Sequence, residues 1–125
     1  VTRAQVKEAD RIVREIAAHS YIGGTKTDVT LLGARPPMQP SPEADALFAR
    51  LLEVSRAHGL GELVPVASGG GSDAAHTQAA GVPSLCGLGG VGAFCHTAKE
   101  YIEMDSVAAR AKLFYALFTT DEGEV

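Results

Sequence analysis

The run Leu63-Val64-Pro65-Val66-Ala67-Ser68-Gly69-Gly70-Gly71-Ser72-Asp73-Ala74-Ala75-His76 decides how the chain is read. A short apolar piece gives way to three glycines, and an alanine-rich piece follows that stops at Gly81. Strand, glycine loop and helix start is the order of elements this predicts. Glycines let the backbone come close to a ligand and take dihedrals that a Cβ forbids. Ser72 or Asp73 stands where a side chain caps the helix, and the free N–H groups of the helix start then face the loop. Such a loop suits an anion, whether carboxylate, phosphate or oxyanion. A tight strand-to-helix turn without a ligand has the same glycine content.

Working outward, Ser84-Leu85-Cys86-Gly87-Leu88 reads as a second short buried strand after the Gly81/Pro83 stop. Ser41-Pro42-Glu43 starts a helix with an N-cap, proline at the first position and an acid in the first turn. Ala44, Leu47, Phe48, Leu51, Leu52 and Ser55 form its buried stripe, and Gly59 ends it. A last helix, capped by Asp105 or Ser106, turns Val107, Ala111, Phe114, Leu117 and Phe118 inward. The segment 89–96 is glycine-rich, 97–103 reads as a loop, and Asp121 to Val125 as an acidic, frayed tail. Strands 63–67 and 84–88 alternating with helices predict an α/β fold: part of a mostly parallel sheet with helices on both faces. The glycine loop then lies at the carboxyl end of a strand, where such sheets bind ligands.

Before this unit, Thr2 and Gln5 have capping-box spacing, and Val6, Ala9, Val13, Ile16 and Ala17 share one face of a helix over about 3–19. Gly23-Gly24 breaks the chain, Thr25 to Ala34 reads as an edge strand, and three prolines within 36–40 make a stiff connector. A helix and one strand do not make a domain. Residues 3–34 therefore read as the returning half of an inserted domain, with the domain boundary in the proline connector.

The chain has 125 residues and a formal net charge of −4, which disfavours nucleic acid and anionic membranes as partners. No apolar run approaches a membrane span and no signal peptide is visible. A cytoplasmic location is the expectation, with the periplasm as the alternative, and the Val1 start suggests a processed or excised piece. Cys86 and Cys95 lie without CxxC spacing and read as small buried hydrophobes.

Arg35, at the mouth of the proline connector, is a candidate carboxylate or phosphate clamp because its planar fork binds bidentately; a solvated surface arginine is the plainer reading. His96 follows a small-residue approach and precedes a hydroxyl, a lysine and an acid. A neutral imidazole there could bind zinc or act as a base, yet one histidine is no metal site. Cys95 and His96, adjacent in an extended segment, point to opposite faces, which argues against a thiol dyad. His19 and His58 stand at helix C-termini and suit the dipole there.

Three segments together carry a resemblance: Ser68-Gly-Gly-Gly-Ser-Asp-Ala-Ala, then Ala80-Gly-Val-Pro-Ser-Leu-Cys-Gly-Leu-Gly, then Cys95-His-Thr-Ala-Lys-Glu-Tyr-Ile-Glu. Their order and spacing resemble the C-terminal part of the dinuclear zinc exopeptidase and deacylase family. That family includes glutamate carboxypeptidase, acetylornithine deacetylase, succinyl-diaminopimelate desuccinylase and the aminoacylases, with the glutamate carboxypeptidase branch nearest in pattern. The resemblance implies that residues 1–36 close an α+β lid that often dimerises, giving a homodimer, and that residues 37–125 belong to the catalytic domain. It matches His96 to the final zinc ligand, and Glu100 to an acid that either bonds the ligand side chain from behind or fixes the loop that carries it. It matches Gly69, Gly70, Gly71, Ser72 and Asp73 to the loop lining the substrate pocket, and Arg35 to the arginine gripping a substrate carboxylate.

The implied activity is hydrolysis of an amide in a peptide or N-acyl amino acid with a free carboxylate. In that family two zinc ions per subunit hold the attacking hydroxide, and a glutamate shuttles the proton. The other ligands and that glutamate have no counterpart here, so the polypeptide alone is expected to be inactive. Two rival readings remain: a metal-free anion-binding module using the glycine loop and Arg35, and a dimerisation fragment using residues 3–34.

Overall fold

The computed structural model of the chain describes residues 1–120, and the acidic stretch from Asp121 lies outside the described residues. Its elements in order are α1 (Arg3–Ala18), α2 (Pro42–Ala57), α3 (Ala74–Ala79), β1 (Gly92–Ala93), β2 (Tyr101–Ile102) and α4 (Met104–Thr119). The chain divides into two compact units. One comprises Val1–Pro40 with Gly69–Ser84, and the other Ser41–Ser68 with the residues from Leu85 onward.

In the first unit, Thr2 Oγ1 accepts from the Gln5 N–H at 3.2 Å while Gln5 Oε1 accepts from the Thr2 N–H at 2.7 Å. This reciprocal box satisfies two N–H groups that a helix start otherwise leaves without partners. Arg11 pairs with Glu8 and Glu15, and Arg14 with Asp10, along the polar face of α1. None of the residues of α1 is buried, and Val13 and Ile16 on its apolar face are exposed.

The other end of this unit is α3, which closes by a local rule. Gly81 takes a φ of +89°, its N–H bonds to Gln78 O at 3.0 Å, and the Val82 N–H bonds to Thr77 O at 3.1 Å. Those two bonds satisfy the last carbonyls of the helix, and only a residue at ease in left-handed backbone lets them form. The proline connector is tied to α3 by a reciprocal amide pair. Gln39 N–H donates to Gln78 Oε1 and Gln78 Nε2 donates to Gln39 O, both at 2.8 Å.

In the second unit, Ser41 Oγ accepts from the Ala44 N–H at 3.2 Å and Pro42 occupies the first turn of α2. At its far end Gly59 (φ +62°) donates to Arg56 O, and the Leu60 N–H donates to Ser55 O at 2.8 Å. The same closure thus serves α2 and α3, with Leu60 folded back onto the core. That core is Leu51 and Val54 of α2 against Leu113 and Ala116 of α4, with Leu60, Leu63, Leu85, Leu88 and Leu117 packed around it. Ser55 is buried among them and its hydroxyl donates to Gly61 O at 2.8 Å.

The described residues depart from expectation at several elements, and the sheet they contain is small. The sole sheet among the described residues is β1–β2, a two-stranded antiparallel pair with Gly92 opposite Ile102 and Ala93 opposite Tyr101. It lies in segments expected to be loops. The stretches 25–34, 63–67 and 84–88 have no strand pairing, and no mostly parallel sheet is present among the described residues. A strand exists only through a partner's N–H and C=O groups, and none is offered to these stretches. Leu32 is 95% exposed, Val66 83% and Val64 76%, whereas Leu63, Leu85 and Leu88 of these stretches pack against the core.

The last helix starts at Met104 with Glu103 as its N-cap, and Ser106 instead donates to Glu103 O and accepts from the Val91 N–H at 2.7 Å. Its buried residues are Leu113 and Ala116, whereas Val107, Phe114 and Phe118 face outward. Both cysteines are exposed, not buried.

Candidate active-site segments

His96 sits on the turn joining β1 to β2, and packing requires two of the glycines before it, Gly90 and Gly92, while a Cβ on Gly89 would meet nothing within 4 Å. A Cβ on Gly90 would come within 2.6 Å of Ile102 Cδ1, and one on Gly92 would overlap the Tyr101 carbonyl. Those two glycines let two chain segments close on each other, which accounts for them without a ligand. Phe94 and Tyr101 then meet across the hairpin, ring centroids 6.2 Å apart.

The turn itself is held by short-range bonds. Thr97 donates twice to Phe94 O, from its N–H at 3.1 Å and from Oγ1 at 2.7 Å. Thr97 Oγ1 also accepts from the Lys99 N–H at 3.2 Å, and Thr97 O accepts from the Glu100 N–H at 3.1 Å. Glu100 Oε2 accepts from the backbone N–H of His96 at 3.1 Å. Phe94 and His96 both lie at positive φ, 58° and 66°, and they are the two non-glycine residues with such values among those described. Side chains avoid that region, so the bonds around Thr97 and Glu100 must override a local cost of order 1–3 kcal/mol per residue. Glu100 therefore acts on the backbone of His96, and the His96 imidazole is held on the exposed side of the turn. Thr97 and Phe94 were not singled out from the sequence, although Thr97 is the residue directly after the histidine in the quoted motif.

In the other unit, Arg35 and the glycine loop come together. Arg35 Nε donates to Asp73 Oδ1 at 3.0 Å. A Cβ on Gly71 would stand 3.3 Å from both Cδ and Nη1 of Arg35, so the arginine lies along the loop at that glycine. Gly69 meets nothing within 4 Å, and a side chain there would enter open space. Ser72 Oγ accepts from the Ala74 N–H at 3.2 Å, while Asp73, in the N-cap position, makes no capping bond with its side chain. Of the two candidate caps, Ser72 does the work and Asp73 is turned to Arg35.

A cavity of about 140 Å³ opens in the second unit beside Leu60, Glu62, Val91, Ser106, Arg110 and Leu113. Neither His96 nor Glu100 lines it. Among the described residues, no group of three or more His, Cys, Asp or Glu is placed to hold a metal ion. His96 is a single donor, so these residues do not by themselves fit a metal. No helix is long and apolar enough to cross a membrane among the residues described.

The profile of Peptidase family M20/M25/M40 matches residues 3–120. The chain belongs to this family, a family of hydrolases of the peptidase type whose members are generally metal-dependent. No curated protein and no solved structure matches the chain.

Proposed function

We propose that this chain is the C-terminal part of a zinc-dependent amidohydrolase of the glutamate carboxypeptidase branch. It cleaves an amide in a peptide or N-acyl amino acid that bears a free carboxylate. The observation that carries the reading is the 94–100 turn. A histidine in unfavourable backbone, its amide tied to the acid four residues on, is a costly way to build an ordinary surface loop. In the intact hydrolase His96 would offer one ligand to a zinc ion, and zinc held there would supply Lewis acidity at the scissile carbonyl. Glu100 holds the turn that carries His96. The 69–73 loop lines the substrate pocket, and Arg35 grips the substrate carboxylate through its guanidinium.

The remaining donors and the proton-shuttling glutamate come from residues outside this chain, which is why the 125-residue polypeptide is inactive alone. The bare apolar residues Val64 and Val66 fit a strand whose neighbours lie elsewhere in a mostly parallel sheet, and those of 25–34 fit an edge strand of the lid. Residues 1–36 close the lid and join a second copy through it, for which the exposed apolar face of α1 is suited.

The test uses the intact source protein, with its metal content measured and its turnover read on N-acetyl amino acids and dipeptides beside their C-terminal carboxamides. About two zinc ions per chain are expected, with acids hydrolysed in preference to amides. His96→Ala is expected to lower zinc content and to reduce kcat by at least about a hundredfold. Unchanged metal and turnover in that variant would sink the proposal.

A further inference from the structure

The geometry points to Asp73 as a positioning residue for Arg35, one that aims the arginine's terminal nitrogens at a substrate carboxylate. This rests on the reading of Arg35 as the carboxylate grip and adds how the grip is oriented.

Three observations meet here. Asp73 enters α3 with helical backbone (φ −71°, ψ −21°), and its side chain makes no bond to the helix's own N–H groups, which leaves the carboxylate available to Arg35. Ser72 serves Ala74 N–H instead, and the Asp73 carboxylate is committed to a residue 38 positions away. Second, the pair is exposed, 57% at Arg35 and 86% at Asp73, and an ion pair so open to water adds little to folding. The pairing therefore has little to do with holding the fold together. Third, Gly71 is the glycine of the loop against which Arg35 lies, at a distance where an added Cβ would force the guanidinium to move.

The choice of nitrogen gives the pairing its consequence. A guanidinium has a flank that includes Nε and an end formed by its two Nη nitrogens. Asp73 takes Nε by a single bond, which anchors the flank of the group and does not use the end-on fork. A second planar carboxylate can then meet that fork bidentately. An arginine without Asp73 keeps its charge but samples many rotamers, and it loses orientation more than attraction. The ligand class this geometry favours is a compound with a free planar carboxylate over its neutral carboxamide.

The experiment uses the intact hydrolase and the acid and carboxamide pair that it turns over fastest in the assay above. Asp73→Asn is expected to raise KM for the acid about tenfold, leaving kcat within about twofold and KM for the carboxamide unchanged. Gly71→Ala is expected to shift the same ratio in the same direction. Zinc content and the unfolding midpoint stay at wild-type values in both. An acid KM that is unchanged in Asp73→Asn while Arg35→Ala raises it overturns the positioning role. A lowered acid KM overturns it too, making Asp73 a competitor for the arginine. A fallen midpoint with an unchanged acid-to-amide ratio makes Asp73 structural and also overturns it. If Arg35→Ala itself keeps full discrimination, the carboxylate grip is wrong, and the positioning role goes with it.

Discussion

His96 and Phe94 occupy backbone that side chains avoid, and the Thr97 hydroxyl spans the turn that holds them there. Thr97→Val keeps the shape of the side chain and deletes both hydroxyl bonds. The His96 amide, bonded to Glu100, is then expected to exchange with solvent about tenfold faster, and Thr97→Ser is expected to restore protection. Ser55 gives a second residue-scale case. Its buried hydroxyl is bonded to Gly61 O, so Ser55→Ala leaves that carbonyl short of a donor and should cost about 1–2 kcal/mol in urea unfolding. A cost below about 0.3 kcal/mol would mean that water replaces the bond.

At this scale the sequence pointed to Arg35, Asp73, His96 and Glu100 one by one. The bond between His96 and Glu100 is four residues long and was legible as a loop-fixing acid. The bond between Arg35 and Asp73 was not, because nothing in a linear pattern pairs residues 38 apart.

Elements are where local rules decided most. Thr2 with Gln5, Ser41 with Pro42, and the stops at Gly59 and Gly81 were all readable, because capping involves residues within six positions. Ser41→Ala should cost about 1 kcal/mol, and Gly59→Ala a similar amount because alanine is strained at φ +62°. Both are read as a shift of the urea midpoint without a change in slope.

Acid should weaken the same helix. The Glu43 carboxyl is held below its ordinary value by its own backbone N–H and by Ser41, and that of Glu62 by the Arg56 guanidinium. A carboxyl whose folded value is depressed stabilises the fold fully above the unfolded value near 4.5, and this is lost as pH falls through the folded value. Melting is therefore expected to fall with pH below about 4.5, and Glu62→Gln should flatten part of that fall. An identical acid limb in the variant would remove Glu62 from the account.

The last helix was harder to read. Apolar residues surround most of α4, so periodicity offered more than one inward face, and packing against α2 selected the one bearing Leu113 and Ala116. Its start at Met104 has no side-chain cap to announce it.

On the scale of the whole molecule the salient fact is uncovered apolar surface. Leu31, Leu32, Val64 and Val66 are exposed in extended backbone, and Val107, Phe114, Tyr115 and Phe118 are exposed on α4. Patches of this kind mark surfaces that something else covers. The 125-residue chain expressed alone is expected to bind a hydrophobic dye and to associate as its concentration rises. The intact protein is expected to do neither beyond a dimer. A dye-silent, monomeric chain by light scattering would count against the missing sheet neighbours.

The sequence by itself determined that the helices exist, the caps of α1 and α2, the stops at Gly59 and Gly81, the order of the three motifs and the membership of the hydrolase family. These rest on spacing within a few residues, or on residue identities that need no folding to be read. Tertiary structure alone decided which face of α4 is buried, that Gly90 and Gly92 serve a hairpin, and that Asp73 pairs with Arg35. Each of those depends on which distant atoms share a neighbourhood, and burial and pairing are properties of that neighbourhood, not of any one residue.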